Sequence, residues 1–566
     1  MQLPIGISDF RKLIEYRNPL NQKESYLYVD KSLFIKEILG DGAEVIILTR
    51  PRRFGKTLNL SMLYYFYSNS VHEANTAELF KHLAIAKESD SMHYQGKYPT
   101  IFITLKDLKY TRYEECMAKL RWIMSETYKR FRHELSSDKI PAEDKAYIDT
   151  LISGKPDTVQ LEMSLKKLLD LLYTYYGIKP ILLIDEYDTP IQQAYVHGYF
   201  DQVIAFFRNF LSVTLKDSTN LEKGILTGIL RISKESLFSD LNNVKVYSIL
   251  NEKYAQYFGF TDKEVDGLLE KSDLQVNREH IKSWYNGYRF DHQLLYNPWS
   301  IINCIAEKGT IRPYWINTSG NDLIRLLVIK SDASTQEKIA ALLAGESIKE
   351  MVDFHIVFRD LHKNRSAIWG LFLMSGYLKA LSVEYTIDGD LCELALPNKE
   401  IESLFRKISR EWLSGDKGFM WYQALLADLT EGRVEDFEAK LQDAIYDMAS
   451  YHDTNKRTQE TFYHGMMLGI LAGLKDTHEV KSNRESGRGR YDLIIIPHDP
   501  SKLSIIMEFK SVQADTHLES AADNALVQII QSNYMTELKQ RGLTYICPMG
   551  IAFSGKDIKV KTTLTK

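Results

Sequence analysis

The sequence predicts an α/β protein with a parallel sheet flanked by helices, a mostly helical middle region, and a smaller α/β domain at the carboxyl end. Three short runs that are apolar at every position predict strands buried on both faces, which is typical of parallel sheets. Long amphipathic segments between the runs predict the covering helices. The apolar runs are residues 45–48, 101–103 and 181–184, and the amphipathic segments are residues 113–135 and 159–176.

Length and composition set the first limits. The chain has 566 residues, enough for two or three domains, and 44% hydrophobic with 26% charged residues is ordinary for a globular protein. The net charge of −4 excludes a histone-like polycation but is compatible with a local basic groove. The four cysteines lie far apart with no CxxC pair, which predicts reduced thiols in a cytoplasm. We see no signal-peptide pattern, and the longest apolar stretch is too short for a bilayer, so we expect a cytoplasmic protein without a membrane partner.

The first chemical motif follows the first apolar run. Residues 45–62 read VIILTRPRRFGKTLNLSM, which predicts a buried strand, a tight loop and a helix whose N-terminus faces the loop. A phosphate-binding loop needs this context, because backbone N–H groups must converge on phosphate oxygens. Lys56 would reach the β- and γ-phosphates of ATP, and the Thr57 hydroxyl would bind Mg²⁺. The residues expected to contact the nucleotide are Arg52, Arg53, Phe54, Gly55, Lys56 and Thr57.

The start of this loop departs from the usual GxxxxGK[ST] pattern. Arg50 stands where the first glycine is expected, and Pro51 has no N–H to donate. We therefore expect the loop to begin with a different turn, while Arg52 and Arg53 add positive charge beside the phosphates.

A second motif ends the apolar run at residues 181–184, where Asp185, Glu186, Tyr187 and Asp188 follow. In open α/β sheets, ligands bind at the carboxyl ends of the strands. Asp185 suits a water-mediated contact to Mg²⁺, and Glu186 suits polarisation of the attacking water. The alternative is that GKT is an ordinary helix start and DEYD a solvated loop. We favour the nucleotide site because both motifs follow buried strands in the expected order.

Five segments together resemble the AAA-ATPase-like family, which is found mainly in bacteria and is similar to the AAA+/STAND class of P-loop ATPases. The segments are RPRRFGKT, IDEYDTP, TGILRIS, LNN and YFGFTDKEV, spread over roughly residues 3–300. The resemblance implies a P-loop NTPase sheet, an arginine at the first loop position, and a polar sensor at the end of the strand at residues 224–228. Thr227 is the candidate sensor, and Arg231 is a candidate for γ-phosphate sensing. On the sequence alone, Arg231 is equally suited to an ordinary ion pair.

The remainder of the chain yields further predicted elements. We expect amphipathic helices at residues 336–350 and 399–415. Towards the carboxyl end we expect a helix at 459–474, a basic loop at 481–490, strands at 491–496 and 503–509, a helix at 521–539, and a strand pair at 544–547 and 550–553.

The strands predicted at 491–496 and 503–509 carry a second candidate site. Asp492 starts one strand, while Glu508 and Lys510 end the next and share a face because they are two residues apart. A hairpin would bring Asp492 to the same edge, where two carboxylates and a lysine suit Mg²⁺ and an activated water. Residues 481–490 contain four basic residues and one acidic residue, a net charge of +3 that would hold a nucleic-acid backbone. The alternative is a chance match, because D…ExK is short and basic loops are usually only solvated.

The pattern D-x15-E-x-K, in this order of elements, resembles the PD-(D/E)XK nuclease superfamily over roughly residues 400–560. The resemblance implies Mg²⁺-dependent cleavage of a phosphodiester, with DNA favoured over RNA. It also implies that Gln528 and Tyr534 form the superfamily's accessory motif and that Glu460 is its additional acidic residue.

We therefore predict an ATPase-like domain at residues 1–265, a helical middle or lid region at 266–396, and a nuclease-like domain at 397–566. The first hypothesis is an ATP-dependent nuclease with nucleic acid as its partner; the alternative is an ATP-operated regulatory switch whose nuclease-like domain binds nucleic acid or a partner without cutting. A homo-oligomer is left open. The catalytic candidates are Glu186, Asp492, Glu508, Lys510, Glu460 and Gln528, and the metal-binding candidates are Thr57, Asp185, Asp492 and Glu508.

Overall fold

The computed structural model of the chain describes fifteen stretches of it. They are residues 2–15, 26–69, 76–216, 218–230, 243–316, 321–329, 331–354, 358, 361, 364–414, 417–449, 459–486, 489–512, 517–532 and 535–563. Arg231 and Tyr534, which the sequence singles out, lie outside these residues, and the side chain of Glu460 is likewise outside the description.

The strands of the described residues form four sheets. They are β1 (Val45–Thr49), β2 (Thr100–Thr104), β3 (Ile181–Asp185), β4 (Lys223–Gly228), β5 (Val244–Tyr247), β6 (Tyr288–Phe290), β7 (Gln293–Leu295), β8 (Ile348–Val352), β9 (Lys379–Thr386), β10 (Gly389–Ala395), β11 (His478–Ser486), β12 (Gly489–Pro497), β13 (Ser504–Ser511), β14 (Ile546–Ser554) and β15 (Asp557–Thr562).

The helices lie between and around these strands. They are α1 (Phe10–Ile14), α2 (Phe34–Leu39), α3 (Lys56–Tyr67), α4 (Ser89–Met92), α5 (Tyr113–Arg130), α6 (Arg132–Leu135), α7 (Ala142–Ile152), α8 (Thr158–Tyr176), α9 (Thr189–His197), α10 (Phe200–Leu215), α11 (Asp262–Lys271), α12 (Arg278–Tyr285), α13 (Pro298–Ala306), α14 (Asp322–Ile329), α15 (Ala333–Ala344), α16 (Arg365–Met374), α17 (Lys399–Ser414), α18 (Gly418–Thr430), α19 (Val434–Ala449), α20 (Gln459–Leu471), α21 (Leu518–Gln531) and α22 (Thr536–Gln540).

The chain divides into two compact units. The first comprises Met1–Leu323, Glu350–Cys392 and Pro397–Glu400, and the second comprises Ile324–Lys349, Glu393–Leu396 and Ile401–Lys566. The domain limits that the sequence suggests, after residues 265 and 396, stay a prediction.

The main sheet of the first unit has five parallel strands in the order β2-β3-β4-β1-β5. Every residue of β1 and of β3 is buried, as their continuous apolar runs predict. Because all five strands run the same way, their carboxyl ends meet at one edge, and β4 lies between β1 and β3. The parallel sheet flanked by helices is confirmed. The edge strand β5 was not predicted, because its sequence VKVY is short and half exposed.

The predicted covering helices are present in the first unit with small differences. The segment at 159–176 is α8, whose start is fixed by a capping box between Asp157 and Gln160. The segment at 113–135 is not one helix: α5 ends at Arg130 and α6 begins at Arg132, with Phe131 outside helical geometry.

The helical middle region is confirmed, but two predicted details are corrected. The segment at 336–350 is helical only to Ala344, since Gly345 ends α15 in the left-handed region at φ 95°, and the following residues enter β8. The region also contains the hairpin β6–β7 and the sheet β8-β10-β9. The helix predicted at 399–415 is present as α17.

The second unit contains a mixed sheet in the order β11-β12-β13-β14-β15, in which only the β13–β14 pair is parallel. Alternate residues of β12 and β13 face two different helical layers. The layer of α18–α20 packs on Leu493, Ile495, Ile505, Met507 and Phe509, and the layer of α21 and α22 packs on Ile494, Ile496 and Ile506.

Three predicted elements of this unit are wrong in form. The basic segment at 481–490 is not a loop: its described residues belong to β11 and β12, which pair antiparallel from His478 and Pro497 onwards. Polar residues dominate this edge strand, so it lacks the apolar alternation that signals a strand. The strand pair at 544–553 is the single strand β14, and the helix predicted at 521–539 is α21 followed by the short α22.

Two further sequence expectations concern the cysteines and membranes. All four cysteines are buried and none forms a disulfide. Within the described residues, no helix has the length and apolar character needed to cross a membrane.

Candidate functional sites

The loop between β1 and α3 has the geometry of a phosphate cradle. Gly55 precedes the helix at φ 87°, and Arg53 also adopts a positive φ of 65°. Glycine tolerates this left-handed conformation without strain, whereas arginine rarely adopts it. These two turns direct the loop into the N-terminus of α3, where unsatisfied N–H groups favour an anion.

The contacts of Arg50 show why an arginine fits the position where the GxxxxGK[ST] pattern has its first glycine. Its side chain is fully buried, and its Nη1 donates to the carbonyl oxygens of Thr49 at 2.8 Å and of Tyr247 at 2.9 Å. The guanidinium also lies over the rings of Phe258 and Phe290, 5.0 and 5.3 Å from their centroids. Burial lowers its pKa to about 9. Arg50 therefore ties together the ends of β1 and β5 beneath the loop and does not face a ligand.

Lys56 lies inside the loop that it follows. Its Nζ donates to the carbonyl oxygens of Arg50 and Pro51, both at 2.9 Å, and the residue is buried. Burial lowers the pKa of the Lys56 amine, while the nearby charges of Glu186, Asp188 and Asp185 act in the opposite direction. A cation held at the centre of the loop is what phosphate recognition requires.

Asp185 brings three strands together at the sheet edge. Its Oδ2 accepts from the hydroxyls of Thr57 at 2.7 Å and Thr104 at 3.3 Å, and its Oδ1 accepts from the Thr227 hydroxyl at 2.7 Å. The strand order produces this contact, because β4, which carries Thr227, lies between β1 and β3. Burial, and then the charge of Glu186, raise the pKa of the Asp185 carboxyl, which the threonine hydrogen bonds partly offset.

Glu186 follows β3 in a positive-φ conformation at 53° and is half buried. Its Oε2 accepts from the Thr189 hydroxyl at 3.0 Å. Burial lowers the pKa of Arg53, and the charge of Glu186 opposes that shift, so the carboxylate lies within electrostatic reach of the loop. The predicted loop residues, Asp185, Glu186 and Thr227 are thus brought to one edge of the sheet.

The loop residues from Arg52 to Thr57 and Glu186 line one side of a cavity of about 450 Å³. That volume is within the usual range for sites that bind drug-sized ligands. Lys106, Lys109 and Arg52 give the cavity positive charge, and Pro4 to Ser8 with Tyr28 and Ile302 give it a less polar side. An anionic ligand with an apolar part matches this lining.

The structure adds residues that the sequence did not assign. Asp188, fully buried, accepts at Oδ2 from the backbone N–H groups of Ile229 and Leu230, both at 2.9 Å. A Cβ on Gly228 would lie 2.7 Å from the Tyr187 ring, so the close approach requires glycine. Asp188 thereby fixes the chain just after Thr227. It was visible in the DEYD motif, but only the strand order shows which backbone it binds.

A further unassigned group comes from distant parts of the sequence. The Arg53 guanidinium lies 4.2 Å from the ring centroid of Trp299, and Asn297 and Trp315 both donate to the carbonyl oxygen of Arg52. No local pattern links these residues to the loop, so sequence analysis had no signal for them.

The second unit holds the other candidate site, near the start of β12 and the end of β13. The Asp492 carboxylate accepts from the backbone N–H of Phe509 at 2.7 Å, and the strands pair in register from Leu493 opposite Met507. Glu508 is 4% exposed, and its Oε1 accepts from Lys510 Nζ at 3.2 Å. Asp492, Glu508 and Lys510 are therefore brought together as predicted.

The accessory residue Gln528 also reaches this site. Its Nε2 donates to Glu508 Oε1, the same oxygen that Lys510 contacts. This contact fixes the carboxylate from the α21 side. The Glu460 side chain is outside the described residues, so its predicted role stays a prediction.

Burial shapes the chemistry of Asp492. It raises the pKa of the carboxyl, and the Phe509 N–H and the charges of His464 and Lys510 partly offset this. His464, from α20, lies behind the strand, with Nε2 3.3 Å from the Asp492 carbonyl oxygen and from the Ser482 hydroxyl. His464 follows Glu460 by four residues in the sequence, which is about one helical turn.

The donor sets fit hard divalent cations. Among the side chains that the structure describes, no three His, Cys, Asp or Glu residues converge as a closed metal site would require. Each candidate site instead offers oxygen donors from few residues: a threonine hydroxyl and Asp185 in the first unit, and Asp492 with Glu508 in the second. Mg²⁺ typically binds one or two carboxylates and keeps several waters, so both sites fit it.

Comparisons with known proteins match a family in each of the two units. Residues 4–238 match a family described as "Predicted AAA-ATPase", and residues 458–563 match the PD-(D/E)XK nuclease superfamily. Both resemblances drawn from the motifs are confirmed.

One curated protein and one solved structure are also similar to the chain. A protein of Azotobacter chroococcum mcd 1, named "Uncharacterized protein in vnfD 5'region", is 25% identical over 562 residues, covering 98% of this chain and 96% of that protein. A signal transduction ATPase with numerous domains (STAND) protein with a tetratricopeptide repeat sensor, from Pyrococcus horikoshii, matches with a TM-score of 0.25 and 11% identity. That match covers 82% of this chain and 59% of the other.

Proposed function

We propose that this chain, in which an AAA-ATPase-like domain is joined to a domain of the PD-(D/E)XK nuclease superfamily, hydrolyses ATP and cuts DNA in a Mg²⁺-dependent reaction. The observation that carries the ATPase half is the convergence of the Thr57 and Thr227 hydroxyls on the buried Asp185, beside Lys56. The nuclease half rests on the Asp492, Glu508 and Lys510 cluster.

In the first unit, each residue has a separable task. Lys56 neutralises phosphate charge from inside the loop, and the N–H groups at the start of α3 bind the phosphate oxygens. The Thr57 hydroxyl and the Asp185 carboxylate, which are hydrogen-bonded to each other in the structure, would hold Mg²⁺. Glu186 accepts a proton from the attacking water, and Thr227 orients Asp185. When bound, Mg²⁺ supplies positive charge to the phosphate oxygens in either unit.

In the second unit, Asp492 and Glu508 would hold Mg²⁺, which would supply positive charge for phosphodiester cleavage. The Phe509 N–H fixes the orientation of Asp492, and Gln528 fixes that of Glu508. Lys510 stabilises negative charge on the attacking oxygen. Contact of the basic segment at 481–490 with a nucleic-acid backbone stays a prediction, because Lys481, its one described basic side chain, is buried and paired with Glu479. A cytoplasmic location and a homo-oligomer stay predictions, the second testable by mass measurement in solution.

The experiment uses the purified full chain with plasmid DNA, Mg²⁺ or Mn²⁺, and ATP. We expect wild type to nick or degrade the plasmid and the double variant Glu508→Ala/Lys510→Ala to lose this activity. The matched control is Glu519→Ala/Lys561→Ala, which removes an ion pair elsewhere in the same unit and should cut like wild type.

The ATPase half is measured separately by phosphate release. Lys56→Ala should lose hydrolysis, while Lys36→Ala, which removes a surface ion pair with Glu88, should keep it. If wild-type protein hydrolyses ATP but cuts nothing under any of these conditions, the chain is the ATP-operated switch and not a nuclease.

A further inference from the structure

A buried glutamate lies at the start of α17, far in sequence from the phosphate-binding loop. Glu400 has no exposed surface, and its two carboxylate oxygens accept from different donors. Oε1 accepts from the backbone N–H of Trp315 at 2.6 Å, and Oε2 accepts from the Ser300 hydroxyl at 2.8 Å. Burying a carboxylate is costly, so this arrangement needs a reason beyond packing.

Both donors lie in or near residues that hydrogen-bond to the phosphate-binding loop. The indole Nε1 of Trp315 donates to the Arg52 carbonyl oxygen at 3.1 Å, and Asn297 Nδ2 approaches the same oxygen at 3.4 Å. Asn297 also caps α13 by accepting from the N–H groups of Trp299 and Ser300. Glu400 therefore holds Trp315 directly, and it is linked to Asn297 through Ser300.

The residues just before Glu400 are locked into the same unit. Asn398 Nδ2 donates to the carbonyl oxygen of Asn286 at 2.8 Å. Gly287 has φ 97°, and a Cβ there would lie 2.1 Å from the Pro397 carbonyl oxygen, so only glycine permits the approach. Tyr288, the next residue, packs against Phe54 of the loop at 5.0 Å between ring centroids. Residues 397–400 therefore contact Asn286, Gly287 and Trp315, which contact the phosphate-binding loop themselves or precede Tyr288, which does.

We propose that Glu400 is a positioning residue for the phosphate-binding loop, acting through Trp315 and Ser300 on the Arg52 carbonyl. This inference rests on the proposed ATP site. That carbonyl lies in the same peptide plane as the Arg53 N–H, so the hydrogen bonds to it fix the direction of this N–H within the loop. Glu400 is the second residue of α17, which begins at Lys399, and it belongs to the first unit together with Trp315, Ser300 and the loop.

The test measures ADP binding to the full chain by calorimetry. Glu400→Ala leaves the Trp315 N–H and the Ser300 hydroxyl without their acceptor, and we expect about tenfold weaker binding. Glu400→Gln keeps an acceptor for Trp315 and can donate to Ser300, so we expect affinity within about threefold of wild type. Trp315→Phe keeps the backbone N–H that Glu400 accepts and removes the indole N–H at the loop end together with part of the ring, so it should also weaken binding; it decides the matter if Glu400→Ala does not fold.

Glu402→Ala is the matched control, because it changes a glutamate in the same helix that pairs with Arg406 and Lys475 and not with the loop's supports. It should bind ADP like wild type. The inference is overturned if Trp315→Phe binds ADP as wild type does, or if Glu400→Gln is impaired as much as Glu400→Ala. If wild type itself fails to bind ADP, the ATP site is refuted and the inference falls with it; normal wild-type binding with unaffected variants refutes the inference alone.

Discussion

The buried Glu400 predicts a specific dependence of stability on pH. Burial raises the pKa of its carboxyl from 4.5 to about 7, although the hydrogen bonds from Trp315 and Ser300 partly offset the shift. Because the folded state binds this proton more tightly than the unfolded state, stability from this group is fully present below pH 4.5 and is lost as the pH rises to 7. The difference between the two pKa values corresponds to about 3 kcal/mol.

The matching variant is Glu400→Gln, which cannot titrate. The charge of Glu400 acts on Tyr285 and Tyr288, but burial raises the pKa values of both tyrosines well above 10, so both stay neutral over the range of interest. We expect the variant and wild type to be similar at pH 5, and the variant to be more stable by up to about 3 kcal/mol at pH 8.

Urea unfolding of both proteins at pH 5, 6, 7 and 8 measures this difference. All other titrating groups are common to the two chains, so their contributions cancel in the comparison. The reasoning is refuted if the free energies of unfolding of wild type and variant differ by the same amount at every pH in this range. Such a result would show that Glu400 has the same protonation in the folded and unfolded states there.

Three more predictions test other parts of the account. Gly228→Ala places a Cβ against Tyr187 and Asp188 and should destabilise the fold by roughly 1–3 kcal/mol, whereas Gly267→Ala has open space in α11 and should be neutral or stabilising; thermal unfolding compares them. Thr227→Val should slow ATP hydrolysis at least about tenfold with little change in ADP affinity, and equal rates would show that its bond to Asp185 is only structural. Removing divalent ions with EDTA should stop both hydrolysis and cleavage, and added Mg²⁺ should restore them; activity that survives EDTA contradicts the metal sites.

Much of the architecture was readable from the sequence, because it depends on local pattern. Fully apolar runs predicted β1, β2 and β3, and the motifs placed Lys56 and Asp185 at the same sheet edge. The basic segment at 481–490 was misread as a loop, since an edge strand faces solvent and needs no apolar alternation. Helix α15 ends before the predicted limit at residue 350, because Gly345 ends it. Glycine is a common residue at the end of a helix, so the sequence did contain this signal.

The supports of the candidate sites were not readable, because they depend on which distant segments meet. Asp188 appears in a recognised motif, yet its bond to the backbone after Thr227 follows from β4 lying beside β3. Trp315 and Glu400 lie about 260 and 350 residues after the loop, and a single sequence gives no signal for such contacts. In contrast, Asp492, Glu508 and Lys510 lie on two consecutive strands that a short connection joins into a hairpin, so the sequence predicted that these side chains lie close together.

The central claim is that two chemically distinct sites act in one chain. The most direct measurement compares plasmid cleavage by wild type, Lys56→Ala and Glu508→Ala/Lys510→Ala, with and without ATP, in the same Mg²⁺ buffer. We expect ATP to change the rate at which wild type cleaves the plasmid. Lys56→Ala should still cleave the plasmid but at a rate that does not respond to ATP, and the double variant should not cleave it. Cleavage by the double variant equal to that of wild type would contradict it.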